Sequence, residues 1–325
     1  MTVRAIRVHE HGGPEVLRLE EVEVPEPGPG EVRVRHAAIG VNFRDVYDRT
    51  GLYPLPLPSG IGVEAAGVVE AVGPGVTDLR VGDRVASFSE PFGAYASARV
   101  FPAERLVPLP DGIRYEHAAA LLLKGLTVWF LLRRVREASP GESILFHAAA
   151  GGVGLIACQW ARHLGVRLIG TAGSRKKADA ALAHGAAEVI LYREEDVPAR
   201  VRELTEGVGV PVAYDSVGRD TWLASLDSLR PRGLMVSFGN ASGPVEGVRL
   251  LDLATRGSLY ATRPRLADYT ATTEYLRAGA GELFELVLAG AIRAAIGLRF
   301  PLAEAAEAHR ALEARATTGS TILIP

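Results

Sequence analysis

Between residues 142 and 262 the chain alternates six short runs of β-branched and apolar residues with Ala/Leu-rich stretches of helical period, an order few folds accept. The runs are SILFHAA (143–149), VRLIGTA (166–172), EVILYR (188–193), VPVAYDSVG (210–218), GLMVSFGN (233–240) and SLYATR (258–263). The segments VGLIACQWARHLG, KKADAALAHG and VPARVRELTEG lie between them, each closing on a Gly where a left-handed C-cap fits. This pattern predicts βαβ units and a doubly wound parallel sheet, an α/β domain of the dinucleotide-binding kind.

The first run leads into AAAGGVG (148–154) and then a helix. That is where a pyrophosphate can approach bare backbone N–H groups at the positive end of a helix. The stretch fits G-x-G-x-x-G with Ala149 at the first Gly, and Gly151 and Gly152 within it. A site preferring NAD places a carboxylate after the second strand for the ribose 2′-hydroxyl. Here the segment is GTAGSRKKAD (170–179), with Ser174, Arg175, Lys176 and Lys177 and no acid before Asp179. A 2′-phosphate would be welcome among these groups, so the sequence argues for NADP(H).

Residues 1 to about 124 read differently. Short alternating strands such as EVRVRHA (31–37) and GVVEAVG (67–73) are separated by Pro/Gly turns, the pattern of a β-rich barrel. Residues 264–325 hold two amphipathic helical stretches and end in the strand-like STILIP, which is expected to return to the first domain. The expected domains are therefore 1–124, completed by 264–325, and 125–263.

Lys plus Arg number 36 and Asp plus Glu 38, a net charge of −2 with the signs interleaved, so nothing marks a nucleic-acid or anionic-membrane partner. The longest apolar stretch, 118–132, is cut by Lys124 and Gly125, and the first ten residues carry Arg4, Arg7, His9 and Glu10. A cytoplasmic protein without a membrane span is the expectation. The single cysteine, Cys158, excludes an intrachain disulfide and a Cys-rich zinc site. No His pair shows ligand spacing, and His147 reads as a core-edge residue.

A series of ordered stretches then carries a resemblance. They are HEHGGPEVL (9–17), AIGVNFRDVYDRTGLYP (38–54), GVEAAGVVEAVGPGV (62–76), VGDRVA (81–86), KGLTVWFLLR (124–133), FHAAAGGVGLIACQWA (146–161), YREED (192–196), YDSVGRDTW (214–222), SFGNASG (237–243), SLYATRP (258–264) and RATTGSTILIP (315–325). Nearly end to end, the chain resembles the zinc-free, zeta-crystallin-like quinone oxidoreductases of the medium-chain dehydrogenase/reductase family.

The resemblance implies a GroES-like β-rich catalytic domain plus a Rossmann domain, with NADPH in the cleft between them. It places Gly152 and Val153 at the pyrophosphate, Gly173, Ser174 and Lys177 at the 2′-phosphate, and Tyr192 beside the adenine. Gly151 and Ser216 fall in the same motifs and count as cofactor-binding. Toward the nicotinamide it places Asn42, Thr127, Phe238, Gly239, Asn240, Arg263 and Arg315. Zinc-dependent relatives carry a Cys ligand where this chain has Asn42 and a His where it has Val63, so no metal is expected, and Glu64 is expected to be structural. The implied reaction is metal-free hydride transfer from NADPH to a quinone or related conjugated carbonyl, with Asn42, Tyr47, Tyr53 and Arg263 as donors to the acceptor. Two alternatives stay open: reduction of the C=C bond of 2-alkenals or enones, and an NADPH-binding, crystallin-like protein with little turnover. Dimers are usual among bacterial members. SLYATRP, read as the last strand of the sheet, is expected to pair with its two-fold mate and bury Leu259 in a homodimer interface.

Overall fold

The computed structural model describes residues 1–315 and 317–325, so Ala316 of RATTGSTILIP lies outside the described residues. The chain divides into two compact units. One is Met1–Leu126 with Thr270–Gly290 and Ala294–Pro325, and the other is Thr127–Tyr269 with Ala291–Arg293.

In the first unit the Pro/Gly turns separate eight strands: β1 (Thr2–Val8), β2 (Arg18–Glu23), β3 (Glu31–Val41), β4 (Ser59–Gly60), β5 (Glu64–Val72), β6 (Arg84–Phe88), β7 (Ala98–Pro102) and β8 (Leu106–Pro108). Helix α1 (Phe43–Thr50) follows β3 directly, and α2 (Tyr115–Phe130) carries the chain onward. β3 is the spine of the unit. It pairs antiparallel with β5 and β7, in a register that sets Gly40 opposite Glu64. Alternate residues Val32 and Val34 of β3 enter one core with Val69 of β5, Val85 of β6, Phe101 and Leu106.

The second unit holds β9 (Ser143–Phe146), β10 (Arg167–Ala172), β11 (Glu188–Leu191), β12 (Val210–Asp215), β13 (Leu229–Ser237) and β14 (Tyr260–Thr262). Its helices are α3 (Gly152–His163), α4 (Arg175–Ala183), α5 (Val197–Leu204), α6 (Trp222–Asp227), α7 (Leu250–Thr255) and α8 (Leu266–Tyr269). All six strands are parallel in the order β11-β10-β9-β12-β13-β14, the doubly wound arrangement the alternation predicts. Gly165, Gly185 and Gly207 do close α3, α4 and α5 with positive φ. β13 starts earlier than the apolar run suggests. Pro231 and Gly233 punctuate it, but the strand absorbs them as an irregularity in its register with β12, with Arg232 at φ 58.

The chain then returns to the first unit through α9 (Thr273–Leu288), β15 (Ile296–Pro301), α10 (Ala305–Glu313) and β16 (Ser320–Ile324). STILIP forms β16 and pairs with β3, as its return requires. β15 has no counterpart in the sequence reading. Its residues alternate only between half-buried and exposed, too weak a pattern to stand out, and it is held by parallel pairing to β16. No helix among the described residues is long and apolar enough to cross a membrane.

Candidate functional site

In the second unit the glycine loop is built by close packing. A Cβ on Gly154 would meet the Ala148 carbonyl oxygen at 2.4 Å, so glycine there lets α3 approach the end of β9. Ala149, at the first glycine position of the motif, is accommodated by Gly170 on β10, whose own Cβ would lie 2.6 Å from that of Ala149. Gly151 is the N-cap of α3, which opens with Gly152 and Val153. Their N–H groups stand in the first turn, which offers no intrahelical acceptor.

A buried polar chain ties this loop to its neighbours. The Ser225 hydroxyl donates to Asp215 Oδ2 (3.0 Å) and lies 3.0 Å from His147 Nε2, which must then donate to it. His147 Nδ1 is left to accept from Thr171 Oγ1 (3.1 Å), and that oxygen accepts the Ala148 N–H (3.3 Å). Asp215 Oδ1 receives the N–H groups of Val217 and Gly218. His147 therefore lies in the core, not at its edge, and links the end of β9 to β10, to α6 and, through Ser225, to the end of β12. Burial lowers its pKa, with Asp215 opposing, the direction that favours the neutral ring this pattern needs.

At the adenosine end Ser174 is the N-cap of α4, with Arg175, Lys176 and Lys177 in the first turn and no acid among them. The Tyr192 ring lies against Gly173, where a Cβ would meet its hydroxyl at 2.5 Å. Two of the three acids of YREED are occupied: Glu195 accepts the Leu191 N–H (2.7 Å) and Asp196 caps α5. Gly173, Ser174, Lys177 and Tyr192 thus gather where β10 ends.

Ser216, Phe238, Gly239, Asn240 and Arg263 also come together. A Cβ on Gly239 would meet the Ser216 carbonyl at 2.3 Å, and Phe238 packs 5.7 Å from Phe146. Arg263 Nη1 donates to the Gly239 carbonyl (3.2 Å). With its amide oxygen turned toward Arg263, Asn240 accepts from Nη2 (3.1 Å) and donates to the same carbonyl (3.0 Å). Thr127 is buried on α2. Arg315 belongs to the first unit, just past α10, with φ 55.

In the first unit Asn42 joins β3 to α1. Its N–H donates to Asp45 Oδ2 (2.8 Å), a carboxylate that also receives the Tyr95 hydroxyl (2.9 Å). Tyr95 lies 3.0 Å from His309 Nε2, and Arg49 connects His309 to Glu313. Burial, aided by the charge of Asp48, raises the Asp45 pKa to about 7, and burial raises Asp48 to about 6 against the pull of Arg44. Tyr47 and Tyr53 meet edge to face at 5.2 Å, and the Arg44 guanidinium lies 5.1 Å from the Tyr53 ring.

The Asn42 side chain is held at both ends. Lys124 Nζ donates to Oδ1 (2.7 Å), and Nδ2 donates to Glu64 Oε2 (2.9 Å). Glu64 also takes the Leu123 N–H (2.7 Å). In sequence Lys124 interrupts an apolar run and opens KGLTVWFLLR, in or beside a cofactor motif, but nothing there pairs it with Asn42 and Glu64. The interruption was itself the signal, because a buried ammonium needs partners.

Zinc does not suit these residues. The Asn42 oxygen is taken by an ammonium, Val63 is buried and aliphatic, and Cys158 lies buried in α3 with its thiol pushed up to about 12. That set lacks the thiolate and imidazole donors tetrahedral zinc prefers.

Residues 28–111 match the model of the alcohol dehydrogenase GroES-like domain, and 152–272 that of the zinc-binding dehydrogenases. The chain is 59% identical over 323 residues to the quinone oxidoreductase of Pseudomonas aeruginosa, covering 99% of each protein. It is 46% identical over 331 residues to the 2-haloacrylate reductase of a Burkholderia species, again covering 99% of each. The crystal structure of Escherichia coli quinone oxidoreductase complexed with NADPH matches it with a TM-score of 0.98 at 53% identity over the whole of both chains. With its GroES-like and Rossmann-type units and relatives of this closeness, the chain belongs to the medium-chain dehydrogenase/reductase family, where it stands with the quinone oxidoreductases.

Proposed function

We propose that this protein is an NADPH-dependent quinone reductase, cytoplasmic and zinc-free, whose second unit binds NADPH and whose first unit is the catalytic domain. The observation that carries the cofactor choice is the end of β10, where Ser174 caps a helix whose first turn holds three basic residues and no acid. The quinone oxidoreductase names of the relatives and the NADPH complex of the E. coli enzyme support the same reading. NADPH supplies a hydride. Gly152 and Val153 would hold its pyrophosphate, Lys177 and Ser174 its 2′-phosphate, and Gly173 and Tyr192 its adenine side. Phe238, Gly239, Asn240 and Arg263, with Ser216 and Thr127, would position the nicotinamide, as would Arg315 and Asn42. Asn42, Tyr47 and Tyr53, with Arg263, are the donors to the acceptor oxygen. A quinone is electron-poor enough that positioning supplies most of the catalysis.

The test is NADPH oxidation against quinones, enals and simple aldehydes, with and without strong chelator. Quinone-dependent oxidation that survives chelation is expected. Stoichiometric zinc whose removal abolishes activity would overturn the metal-free reading. The Burkholderia relative favours a second reading, reduction of a C=C bond conjugated to a carbonyl, and higher turnover on enals than on quinones would establish it.

Lys177→Ala should weaken NADPH binding roughly 10-fold or more while NADH binding stays within about twofold. A hydrogen bond to a charged group contributes about 1.5–3 kcal/mol, and Arg175 and Lys176 can partly compensate. Equal weakening of both cofactors would assign Lys177 a structural role.

We also propose a homodimer through the edge strand β14, with one correction to its anatomy. Leu259 is only 6% exposed and packs in its own unit with Leu229 and Met235, so it cannot face a partner. Tyr260, the next residue, points to the other side and is 62% exposed, as period-two alternation requires. Light scattering should give twice the 34.5 kDa of one chain, and Tyr260→Lys should shift it toward monomer. An unchanged dimer would place the interface elsewhere.

A further inference from the structure

The Lys124–Asn42–Glu64 cluster lies in the first unit and joins residues from β5, α2 and the β3–α1 junction. An amide can flip, and its two ends offer opposite chemistry: a carbonyl oxygen accepts, an NH2 group donates. Here the choice is made twice. The ammonium of Lys124 can only donate, so it demands the oxygen, and the Glu64 carboxylate can only accept, so it demands the nitrogen. Lys124 has two further acceptors, the Val41 carbonyl at 3.4 Å and Glu64 Oε2 at 3.5 Å, and it is almost fully buried. Asn42 Nδ2 carries two hydrogens, and Glu64 takes one. The other has no acceptor among the described residues.

We propose that Lys124 is a positioning residue that, with Glu64, locks the Asn42 amide as a hydrogen-bond donor to the carbonyl oxygen of the acceptor, in place of a polarising metal. The inference rests on the reading of the protein as an NADPH-dependent reductase of quinones and conjugated carbonyls. Hydride addition, with both electrons of the broken C–H bond, leaves negative charge on that oxygen, NADPH becomes NADP+, and one proton from water completes the reduction. A donor aimed at the developing charge stabilises it most where the acceptor is a weak electrophile. A strongly electron-poor quinone needs the donor least. Lys124 therefore governs which acceptors the protein reduces well.

The experiment compares Lys124→Met with wild type on 1,4-naphthoquinone and on a 2-alkenal. The expected result is NADPH affinity within about twofold, a kcat loss of about 10- to 100-fold on the alkenal, and a distinctly smaller loss on the quinone. Removing a direct oxyanion donor costs about 10²–10³, and an indirect effect should fall below it. Lys124→Gln, which keeps a neutral donor on Asn42 Oδ1, should recover part of the alkenal rate. Equal losses on both acceptors, or NADPH affinity falling in step, would overturn the proposal. If Lys124→Met does not fold because Glu64 is left unpaired, the Lys124→Met/Glu64→Gln double variant removes both charges and should show the same selective loss. A second readout needs no turnover: 4-nitrophenol bound to the NADP+-loaded protein should ionise at lower pH in wild type than in the variant. An identical titration in both refutes the positioning role. Absence of any NADPH oxidation by wild type would instead refute the functional reading, while the nitrophenol titration would still decide the role of Lys124.

Discussion

Gly40→Ala should lower the melting temperature by about 10 °C or more and leave little reductase activity. A Cβ at residue 40 would lie 2.3 Å from Glu64 Oε2, 2.7 Å from its Cδ and 2.3 Å from the Ala119 carbonyl oxygen. Neither neighbour can yield. Glu64 is fully buried, with one oxygen committed to Asn42 and the other to the Leu123 N–H. Ala119 is backbone inside α2, so the helix would have to move as a body. Overpacking of this kind costs about 1–3 kcal/mol, and separating a buried charge from its partners about 3–5 kcal/mol. A loss of about 4 kcal/mol in a unit of this size corresponds to about 10 °C. Thermal melts followed by circular dichroism, with NADPH oxidation measured alongside, make the test. A variant melting within 2 °C of wild type with full activity would show that Glu64 is not wedged against β3.

Asp45→Asn should stabilise the protein at pH 8 by on the order of 2–4 kcal/mol, with the gain vanishing near pH 4. Asp45 is fully buried, and Oδ1 has no hydrogen-bond partner. Burial, then the like charge of Asp48, raises its pKa from 3.8 to about 7, against the pull of the Asn42 N–H, the Tyr95 hydroxyl and Lys124. Between those two values the folded chain holds a proton that the unfolded chain releases. Wild-type stability therefore falls as pH rises through this window, and beyond it the full cost of the buried charge remains. Asparagine keeps an acceptor for Asn42 and Tyr95 and has nothing to titrate. His36 and His309, each lowered to about 3 by burial with nearby arginines assisting, act in the opposite sense below pH 6.5. They remain in both proteins, so the difference isolates Asp45 if the variant leaves their surroundings intact. Urea unfolding of both proteins from pH 4 to 8 checks this, and a difference that does not change with pH would sink it.

The second unit was legible because its information is local. Six apolar runs, the helices between them and the glycines that close three of those helices follow from spacing along a continuous stretch. The glycine loop with Gly151 and Gly152 and the acid-free basic stretch with Ser174 and Lys177 are legible in the same way, each within a few residues of the end of a strand, whereas the place of Gly173 comes only with the family resemblance. Where local reading erred, a long-range effect decided. The apolar run begins at Gly233, but pairing with β12 starts the strand at Leu229 and carries it through Pro231. Leu259 and Tyr260 are both apolar enough for an interface, and only the seating of β14 on the sheet turns the first inward.

In the first unit, sequence alone determined the turn-rich β character and the return of the C-terminal strand, and the family resemblance it carries added the candidacy of Asn42, Tyr47 and Tyr53. What surrounds Asn42 was decided by tertiary structure. Glu64 and Lys124 reach it across 22 and 82 residues, and His309 meets Tyr95 across 214. A charged side chain looks the same in sequence whether it faces water or a buried partner. The strand register that sets Gly40 against Glu64, and the helix that lays Lys124 over Asn42, make the difference. Periodicity is a property of neighbours along the chain, whereas the pairing of buried charges is a property of neighbours in space, so only the folded chain specifies it.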